Sequence, residues 1–464
     1  MMKKRILSIL LCITLSGCTL MPRYLRPEAP VSSQWPKGGQ PDSASVAATS
    51  IGWAKFFSDP RLHKLIELAL NNNRDLRVAS LNVELLSAQY RIGLAQAFPT
   101  ILAEGNGLRE KEIVPGGGTI KGGQYSLTLG VTAYELDLFG RVRSLKKQAL
   151  ETYFATQEAQ RSAQISLVAQ VAIQYLTQRA LQEQLIETKE TLRSTESNYN
   201  LIKASYGFGN SSLLDVSSAE VEVQTAHANL FNYQREYDQA EDALVLLIGE
   251  PIPSDLPAGE PFNSQKVLED ISAGLPSDLI ERRPDILEAE HQLKAANANI
   301  GAARAAFFPK ILLTGSGGIA TAKLTDLFTG SSVWSFAPEI SMPIFDAGAN
   351  AASLDAAKIS KSIQVAQYEK AIQVAFQEVA DALTARASYN DQLDAQEALV
   401  KAQKQRYDLA NVRYHNGIDS YLTVLTAQQD LYTAEQNLIQ IQFARLSNLI
   451  TLYQALGGGW QSGN

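Results

Sequence analysis

Two long stretches of the chain contain neither glycine nor proline, and each is followed, after one or two glycines, by a shorter stretch of the same kind. Arg141 to Tyr206 runs 66 residues without either, Gly207 and Gly209 interrupt, and Asn210 to Ile248 runs another 39. Ala349 to Asn416 then runs 68 residues, Gly417 interrupts, and Ile418 to Leu456 runs 39. Glycine and proline are the residues a helix interior disfavours most, so this punctuation predicts two helical hairpins of matching size. The longer arms would reach about 100 Å and the shorter about 58 Å, more than a globular domain needs. Leu185, Leu192, Tyr199 and Tyr206 fall seven apart, as do Leu393, Val400, Tyr407 and Tyr414. This heptad seam near each tip predicts coiled-coil packing against the returning arm.

The hairpins belong to a larger repeat. Phe98-Pro99 returns as Phe308-Pro309, and Asn73-Arg74-Asp75-Leu76 as Arg283-Pro284-Asp285-Ile286, both 210 residues later. Tyr206-Gly207-Phe208-Gly209 returns as Tyr414-His415-Asn416-Gly417, and Ile248-Gly249 as Leu456-Gly457, both at 208. The chain reads as two tandem copies, 61–249 and 272–457, joined by a linker over 250–271 that carries Pro251, Pro253, Pro257 and Pro261. Copy one is predicted to hold a helix over 61–98, strands over 100–108 and 124–134, and a hairpin over 141–248 with its tip at 206–216. Copy two is predicted to hold a helix over 278–308, strands over 310–320 and 333–342, and a hairpin over 349–456 with its tip at 414–424. Residues 18–60 precede the first copy and 458–464 follow the second. Because each returning arm is the shorter one, the first helix of each copy is expected to stack end to end with it.

Between first helix and hairpin the apolar period changes to 2. Tyr125, Leu127, Leu129, Val131 and Ala133 alternate with Gln124, Ser126, Thr128, Gly130 and Thr132, a one-sided strand of about bilayer-spanning length. In copy two Trp334, Phe336, Ile340 and Met342 alternate with Ser335, Ala337, Glu339 and Ser341, with Pro338 interrupting. Ile101 to Leu108 and Ile311 to Ala320 are glycine-rich and partly alternating; Arg109–Gly123 and Thr321–Ser332, polar and glycine-rich, read as exposed loops. A soluble two-sheet core would show the same alternation. Closure separates the readings. Unpaired backbone groups are costly in hydrocarbon, and membrane barrels have at least about eight strands. Four strands per chain therefore close only if several chains contribute, with eight strands from two copies or twelve from three.

Composition agrees with a membrane protein of this kind. The chain has 45% hydrophobic residues and 41 basic against 48 acidic ones, a net charge of −7. Beyond the first 20 residues no apolar run reaches the roughly 18 that a spanning helix needs, which excludes a multi-span inner-membrane pump. The acidic balance argues against a nucleic-acid partner. Two cysteines, Cys12 and Cys18, exclude a disulfide scaffold. Lys3, Lys4 and Arg5, the apolar run Ile6 to Leu15, and small Ser16 and Gly17 form a secretory signal layout over 1–17. Its removal would take Cys12 with it and shift the net charge from −7 to −10. His63, His227, His291 and His415 are scattered, and Gly116-Gly117-Gly118 lacks the Lys-Ser/Thr ending of a phosphate loop. No catalytic residue, metal site or cofactor is nominated. With only Met21 and Met342 beyond the signal, a methionine relay for soft metal ions is unsupported.

Leu15-Ser16-Gly17-Cys18 resembles the bacterial lipobox. That implies a signal cut before Cys18, with diacylglycerol and palmitate on this first mature residue. Thr19, in place of the aspartate that retains such proteins at the inner membrane, implies sorting to the outer membrane. A wider set carries a second resemblance: Trp53, Phe57, Asp59-Pro60, Leu62, Asn73 and Asp75-Leu76; Tyr134-Glu135-Leu136-Asp137-Leu138-Phe139-Gly140-Arg141; Leu279 to Asp285; Gly301 to Pro309; and Leu456-Gly457-Gly458-Gly459. Together they resemble the TolC/OprM family of outer-membrane factors, most closely its lipidated members that serve resistance-nodulation-division efflux pumps, over essentially the whole mature chain.

The resemblance implies a mainly α protein with a transmembrane β-barrel. In the family a homotrimer forms a twelve-stranded outer-membrane barrel, four strands per subunit, continuous with a long periplasmic α-helical barrel and a mixed equatorial region. It implies a passive exit duct for drugs or toxic compounds, recruited by a periplasmic adaptor and an inner-membrane pump. A duct for type I protein secretion and a non-conducting coiled-coil lipoprotein are the alternatives. Adaptor-contact tips map onto Tyr206, Gly207, Gly209, Ser212 and Leu214, and onto Tyr414, Gly417, Ser420 and Leu422. Many relatives carry two aspartates after the second turn, forming a ring that narrows the pore. Here those positions are Thr423 and Thr426, Asp215 holds the matching site in copy one, and Asp419 lies nearby, so these four are the gate candidates. A ring of hydroxyls cannot give the field of a ring of carboxylates.

Overall fold

The structure, a computed structural model, describes residues 19–32, 34–35, 46–48, 51–114, 118–268, 271–272 and 276–460. The expected signal segment 1–17, Cys18 and residues 461–464 of the tail lie outside the described residues. The described chain is mostly helical, with one four-stranded antiparallel sheet and one two-residue parallel pair. No described helix is long and apolar enough to cross a membrane.

In chain order the elements are β1 (Val46–Ala47), α1 (Trp53–Phe56), α2 (Pro60–Asn72), α3 (Arg74–Ala95), β2 (Ile101–Val114), β3 (Gly118–Glu135), α4 (Arg141–Gly207) and α5 (Leu213–Ile248). There follow β4 (Ile271–Ser272), α6 (Pro276–Arg282), α7 (Pro284–Ala305), β5 (Lys310–Thr321), β6 (Ser331–Ser341), α8 (Ala349–His415) and α9 (Tyr421–Ala455). α3 and α7 are each 22 residues long and α4 and α8 each 67.

The single helix expected over 61–98 is two. Asn73 makes the break: its side-chain oxygen accepts from the Leu76 amide at 2.9 Å, starting α3, while its Nδ2 donates to the Leu247 carbonyl at 2.9 Å. The helix expected over 278–308 is likewise α6 and α7, divided before Pro284, which has no amide to donate and disfavours helix in the residue before it. At the front of α2, Pro60 takes the first helical position and Asp59 caps, accepting from the amides of Arg61 and Leu62 at 2.7 and 3.4 Å.

The sheet order is β2-β3-β5-β6, so β2 and β6 are its two edges. One face carries the rows Ile101–Val131–Gly315–Phe336 and Ala103–Leu129–Gly317–Trp334. A bulge interrupts the β3–β5 register between Val131 and Tyr134, with Ala133 at a φ of 52° inside it. Arg109–Gly123, read as a loop, departs from that reading: β2 and β3 stay paired from Arg109↔Gly123 to Val114↔Gly118, a two-stranded ribbon beyond the end of β5. Residues of this ribbon such as Arg109, Glu110, Lys111 and Lys121 are exposed, so no apolar alternation marks it as strand. Within Thr321–Ser332, Leu324–Thr329 forms a 3-10 turn.

The chain divides into two compact units that each draw on both copies: Met1–Glu28, Asn82–Gln157 and Glu288–Glu369 in the first, and Ala29–Leu81, Glu158–Leu287 and Lys370–Asn464 in the second. In the first, buried Glu290 of α7 accepts from Tyr24 and Arg26 of the N-terminal segment at 2.9 to 3.1 Å, while the next residue, His291, pairs with buried Glu151 of α4 at 2.6 Å. The N-terminal segment runs antiparallel to α7, since Asn297 binds the Pro22 carbonyl and Arg304 the Leu20 carbonyl. In the second unit the stacked rings of Phe56 and Tyr453 lie 4.0 Å apart, and the Asp59 carboxylate also accepts from Tyr175, Gln265 and the Glu260 amide at 2.7, 2.6 and 3.0 Å. Burial pushes Asp59 up, but hydrogen bonds from Gln265, Tyr175 and the amides outweigh it and hold its carboxyl below the usual range. Its contribution is therefore present above the ordinary carboxylate pKa and lost as pH falls through the lowered value.

Gly249 closes α5 in the left-handed region at φ 82°, and a Cβ there would meet the Asn72 carbonyl oxygen at 2.5 Å. Gly249→Ala combines that conformation with a backbone clash. It should lower stability by about 1–3 kcal/mol, the usual cost of local backbone strain, read as a fall in Tm. An unchanged Tm would show that this cap carries no such constraint.

Candidate functional site

Both hairpin tips lie in the second unit, and each is built from a helix end, a left-handed glycine and a serine N-cap. At the first, the Gly209 amide donates to the Tyr206 carbonyl at 2.9 Å and the Asn210 amide to Ser205 at 3.0 Å, with Gly209 at φ 77°. Ser212 then starts α5 with a capping box: its hydroxyl accepts from the Asp215 amide at 3.1 Å, and the Asp215 carboxylate accepts from the Ser212 amide at 2.9 Å. At the second, the Gly417 amide donates to the Tyr414 carbonyl at 2.8 Å and the Ile418 amide to Arg413 at 2.9 Å, with Gly417 at φ 71°. Left-handed backbone suits glycine, which explains both turn residues.

One apolar cluster ties the tips together. Ile202 of α4, Val216 and Ala219 of α5, Ala410 of α8, and Tyr421, Val424, Leu425 and Ala427 of α9 are buried in it, with Tyr199, Tyr407 and Tyr414 packed against them. Tyr414 thus faces inward, its ring 5.6 Å from that of Tyr421. Burial, with Glu222 and Tyr414 nearby, pushes the Tyr421 hydroxyl up to about 12. Gln429 reaches across from α9 to Glu222 of α5 at 2.6 Å.

The tip residues divide between inside and outside. Leu214 and Leu422 are exposed and Tyr206 is half-exposed, whereas Gly207, Gly209, Gly417, Ser212 and Ser420 shape the turns. Sequence reasoning missed Phe208, Leu213 and Ile418, which stand in solvent beside them, Phe208 at 84% exposure. Their signal was an apolar residue inside a polar glycine turn.

The four gate candidates are all locally engaged. Asp215 is held in its capping box. Asp419 forms a two-pronged pair with Arg413, at 2.6 and 3.0 Å, whose hydrogen bonds hold the Asp419 carboxyl below its ordinary range. The Thr426 hydroxyl donates to the Leu422 carbonyl at 2.9 Å, and the Thr423 hydroxyl lies 3.5 Å from that of Ser420. Farther along α9, burial, then the neighbouring Glu187 carboxylate, pushes Glu435 up to about 7 against the opposing pull of Lys404. Among the described residues, no group of three or more His, Cys, Asp and Glu is placed to hold a metal ion.

The outer membrane efflux protein family model matches residues 65–250 and 275–458, one span for each copy. The chain belongs to this family. This efflux protein is 50% identical to a probable efflux pump outer membrane protein of Pseudomonas putida, TtgC, over 99% of its own length and 96% of the relative's. It is 41% identical to the outer membrane protein OprJ of Pseudomonas aeruginosa, over 98% and 96% of the two chains. Among solved structures, the open state of the Neisseria gonorrhoeae MtrE outer membrane channel superposes with a TM-score of 0.88 at 41% identity, covering 96% of this chain and 99% of that one. The TolC/OprM-type resemblance in the sequence is thus a true kinship.

Because Glu435 holds its proton up to about 7 rather than the ordinary 4.5, folding stability falls as pH rises through that window. Glu435→Gln should raise Tm clearly at pH 8 and only slightly at pH 5. An equal change at both pH values would remove Glu435 as the source of the dependence.

Proposed function

We propose that this chain is one subunit of a homotrimeric outer-membrane exit duct. Through it drugs or toxic compounds pass, without energy input at the duct, from a resistance-nodulation-division pump and a periplasmic adaptor to the outside. The observation that carries the reading is the sheet: four strands with β2 and β6 unpaired at the edges, and an apolar row, Trp334, Phe336 and Ile340, exposed along β6. An edge of this kind in hydrocarbon leaves amides and carbonyls unsatisfied, a cost removed only by closure. Three chains supply twelve strands, within the range of membrane barrels. The names of the relatives, which include efflux pump outer membrane proteins and an outer membrane channel, support the same reading.

In this reading the copies 61–249 and 272–457 contribute equivalent barrel strands and periplasmic hairpins, and 18–60, 250–271 and 458–464 gather at the equator. The tips, 206–216 and 414–424, meet the adaptor through Leu214 and Leu422 together with Phe208, Leu213 and Ile418, whose exposure suits a partner with an apolar face. Thr423 and Thr426 line the gate with hydroxyls. Passive passage needs no catalytic group or cofactor. Cys18 carries the acyl chains, a second attachment beside the barrel.

Purified protein in a planar bilayer should pass single-channel current once the tips are destabilised, and deletion of the gene should raise sensitivity to dyes, detergents and antibiotics. Absence of current even with loosened tips would overturn the duct. Thr423→Asp with Thr426→Asp should strengthen block by multivalent cations at least several-fold; equal block in both proteins would remove the hydroxyl-ring argument. Cys18→Ala should lose acylation yet keep trimers, because strand pairing does not involve the lipid. Complete loss of trimer in that variant would show the anchor to be part of assembly.

A further inference from the structure

Beyond the end of β5, β2 and β3 continue as a ribbon of their own, paired from Arg109↔Gly123 to Val114↔Gly118. β2 follows α3 and β3 leads into α4, so the ribbon is the end of these strands away from the helices. Residues directly opposite in an antiparallel pair point to one face, and so do residues two apart along a strand. The register therefore places Arg109, Lys111 and Lys121 on one face of the β2–β3 pair and Glu104 and Glu110 on the other. All five are exposed, and none of the three cations has an ion-pair partner among the described residues.

The basic face continues an apolar one. In steps of two, Arg109 and Lys111 follow Ile101, Ala103, Gly105 and Gly107 on β2, and Lys121 follows Val131, Leu129, Leu127, Tyr125 and Gly123 on β3. The same face carries Phe336 and Trp334 of β6, exposed like Leu127 and Leu129. The opposite face is polar, with Ser126, Thr128, Ser316 and Ser335, and the last two hydroxyls lie 2.9 Å apart. Tyr125 marks the boundary. Its ring lies against Gly107 and Gly123, where a Cβ on either would meet it at 3.1 Å. Arg109 stands about 7 Å past the Tyr125 row, and Lys111 and Lys121 about 14 Å past it. Lys111 and Lys121 are directly opposite each other, an arrangement of like charges that weakens the pair until an anion lies between them.

We propose that Arg109, Lys111 and Lys121 bind the phosphate groups of a phosphorylated glycolipid in the outer leaflet of the membrane. This rests on the duct reading, which puts the apolar face in hydrocarbon and the ribbon at the outer surface. Lipid phosphates sit just past the hydrocarbon, where a barrel carries its aromatic girdle, and here the cations come next after the tyrosine. Arg109 offers the two-pronged donor geometry that suits phosphate, and the lysines add point charges on flexible stems. Glu104 and Glu110, on the far face, do not repel the anion.

Lipid binding to the purified full-length protein tests the patch. The protein in detergent is titrated with a bisphosphorylated, acylated glucosamine disaccharide, and native mass spectrometry reads bound lipid and trimer mass in one spectrum. The wild type should hold this lipid and bind its dephosphorylated form about tenfold more weakly. The triple variant Arg109→Gln, Lys111→Gln, Lys121→Gln should lose about tenfold in affinity for the bisphosphorylated lipid. Lys111→Arg with Lys121→Arg should bind as the wild type does, and so should Glu104→Gln with Glu110→Gln. Trimers whose triple variant binds as tightly as the wild type, or that hold both lipids equally, would overturn the patch and leave the duct standing. Displacement of the lipid by an equal concentration of inorganic phosphate would likewise overturn a lipid occupant. A wild type that forms no trimer and passes no current in a bilayer would overturn the duct reading and the patch with it.

Discussion

The constraint on which this molecule turns is that backbone amides and carbonyls must be paired wherever water cannot reach them. Inside the four-stranded sheet that requirement is met across three ladders, and at β2 and β6 it is not. Apolar side chains along β6, including Trp334 at 82% exposure, make the same demand from the side-chain level. An isolated chain therefore presents both an incomplete hydrogen-bond ladder and uncovered apolar surface. In the proposed assembly a second copy would satisfy both at once.

Duplication supplied two similar sets of helices, and divergence gave them different cover. On α7, consecutive residues face two partners: Glu290 binds Arg26 and Tyr24 of the N-terminal segment, and His291 binds Glu151 of α4. Buried charges of this kind persist only when paired. Burial pushes Glu290 and Glu151 up, yet Arg26 and His291, together with Lys294 and Lys147, hold both carboxyls below the ordinary range, so this cluster weakens under acid. At the repeat-related positions His291 becomes Leu81 on α3 and Glu151 becomes Ile359 on α8, apolar residues that need no charged partner, while Glu290 becomes Ser80.

At the tips, charge is spent locally. Asp215 completes a capping box and Asp419 is neutralised by Arg413, so neither offers an isolated charge at the turn. Thr426 bonds the Leu422 carbonyl and Thr423 lies beside Ser420, so both hydroxyls are engaged within their own turn of α9. What the tips expose instead is apolar: Phe208, Leu213, Leu214, Ile418 and Leu422 around a tyrosine-rich interior.

Local backbone preference was legible in the sequence. The glycines at 207, 209 and 417 mark the ends of α4 and α8, and the repeat offsets match α3 to α7 without a gap. Alternation marked the strand face of Leu127 and Leu129, because one side of that segment is apolar. The ribbon over Arg109–Gly123 was not legible, since neither of its faces meets a core and pattern disappears when both are wet. Nor was the division of a continuous helical pattern at Asn73, where the cap depends on which residue the side chain reaches. Sequence by itself determined the lengths of the long arms α4 and α8, the repeat and the family, because these follow from the order of residues alone. Only the tertiary structure decided which twin is covered and which is bare, because burial depends on segments brought together from distant parts of the chain.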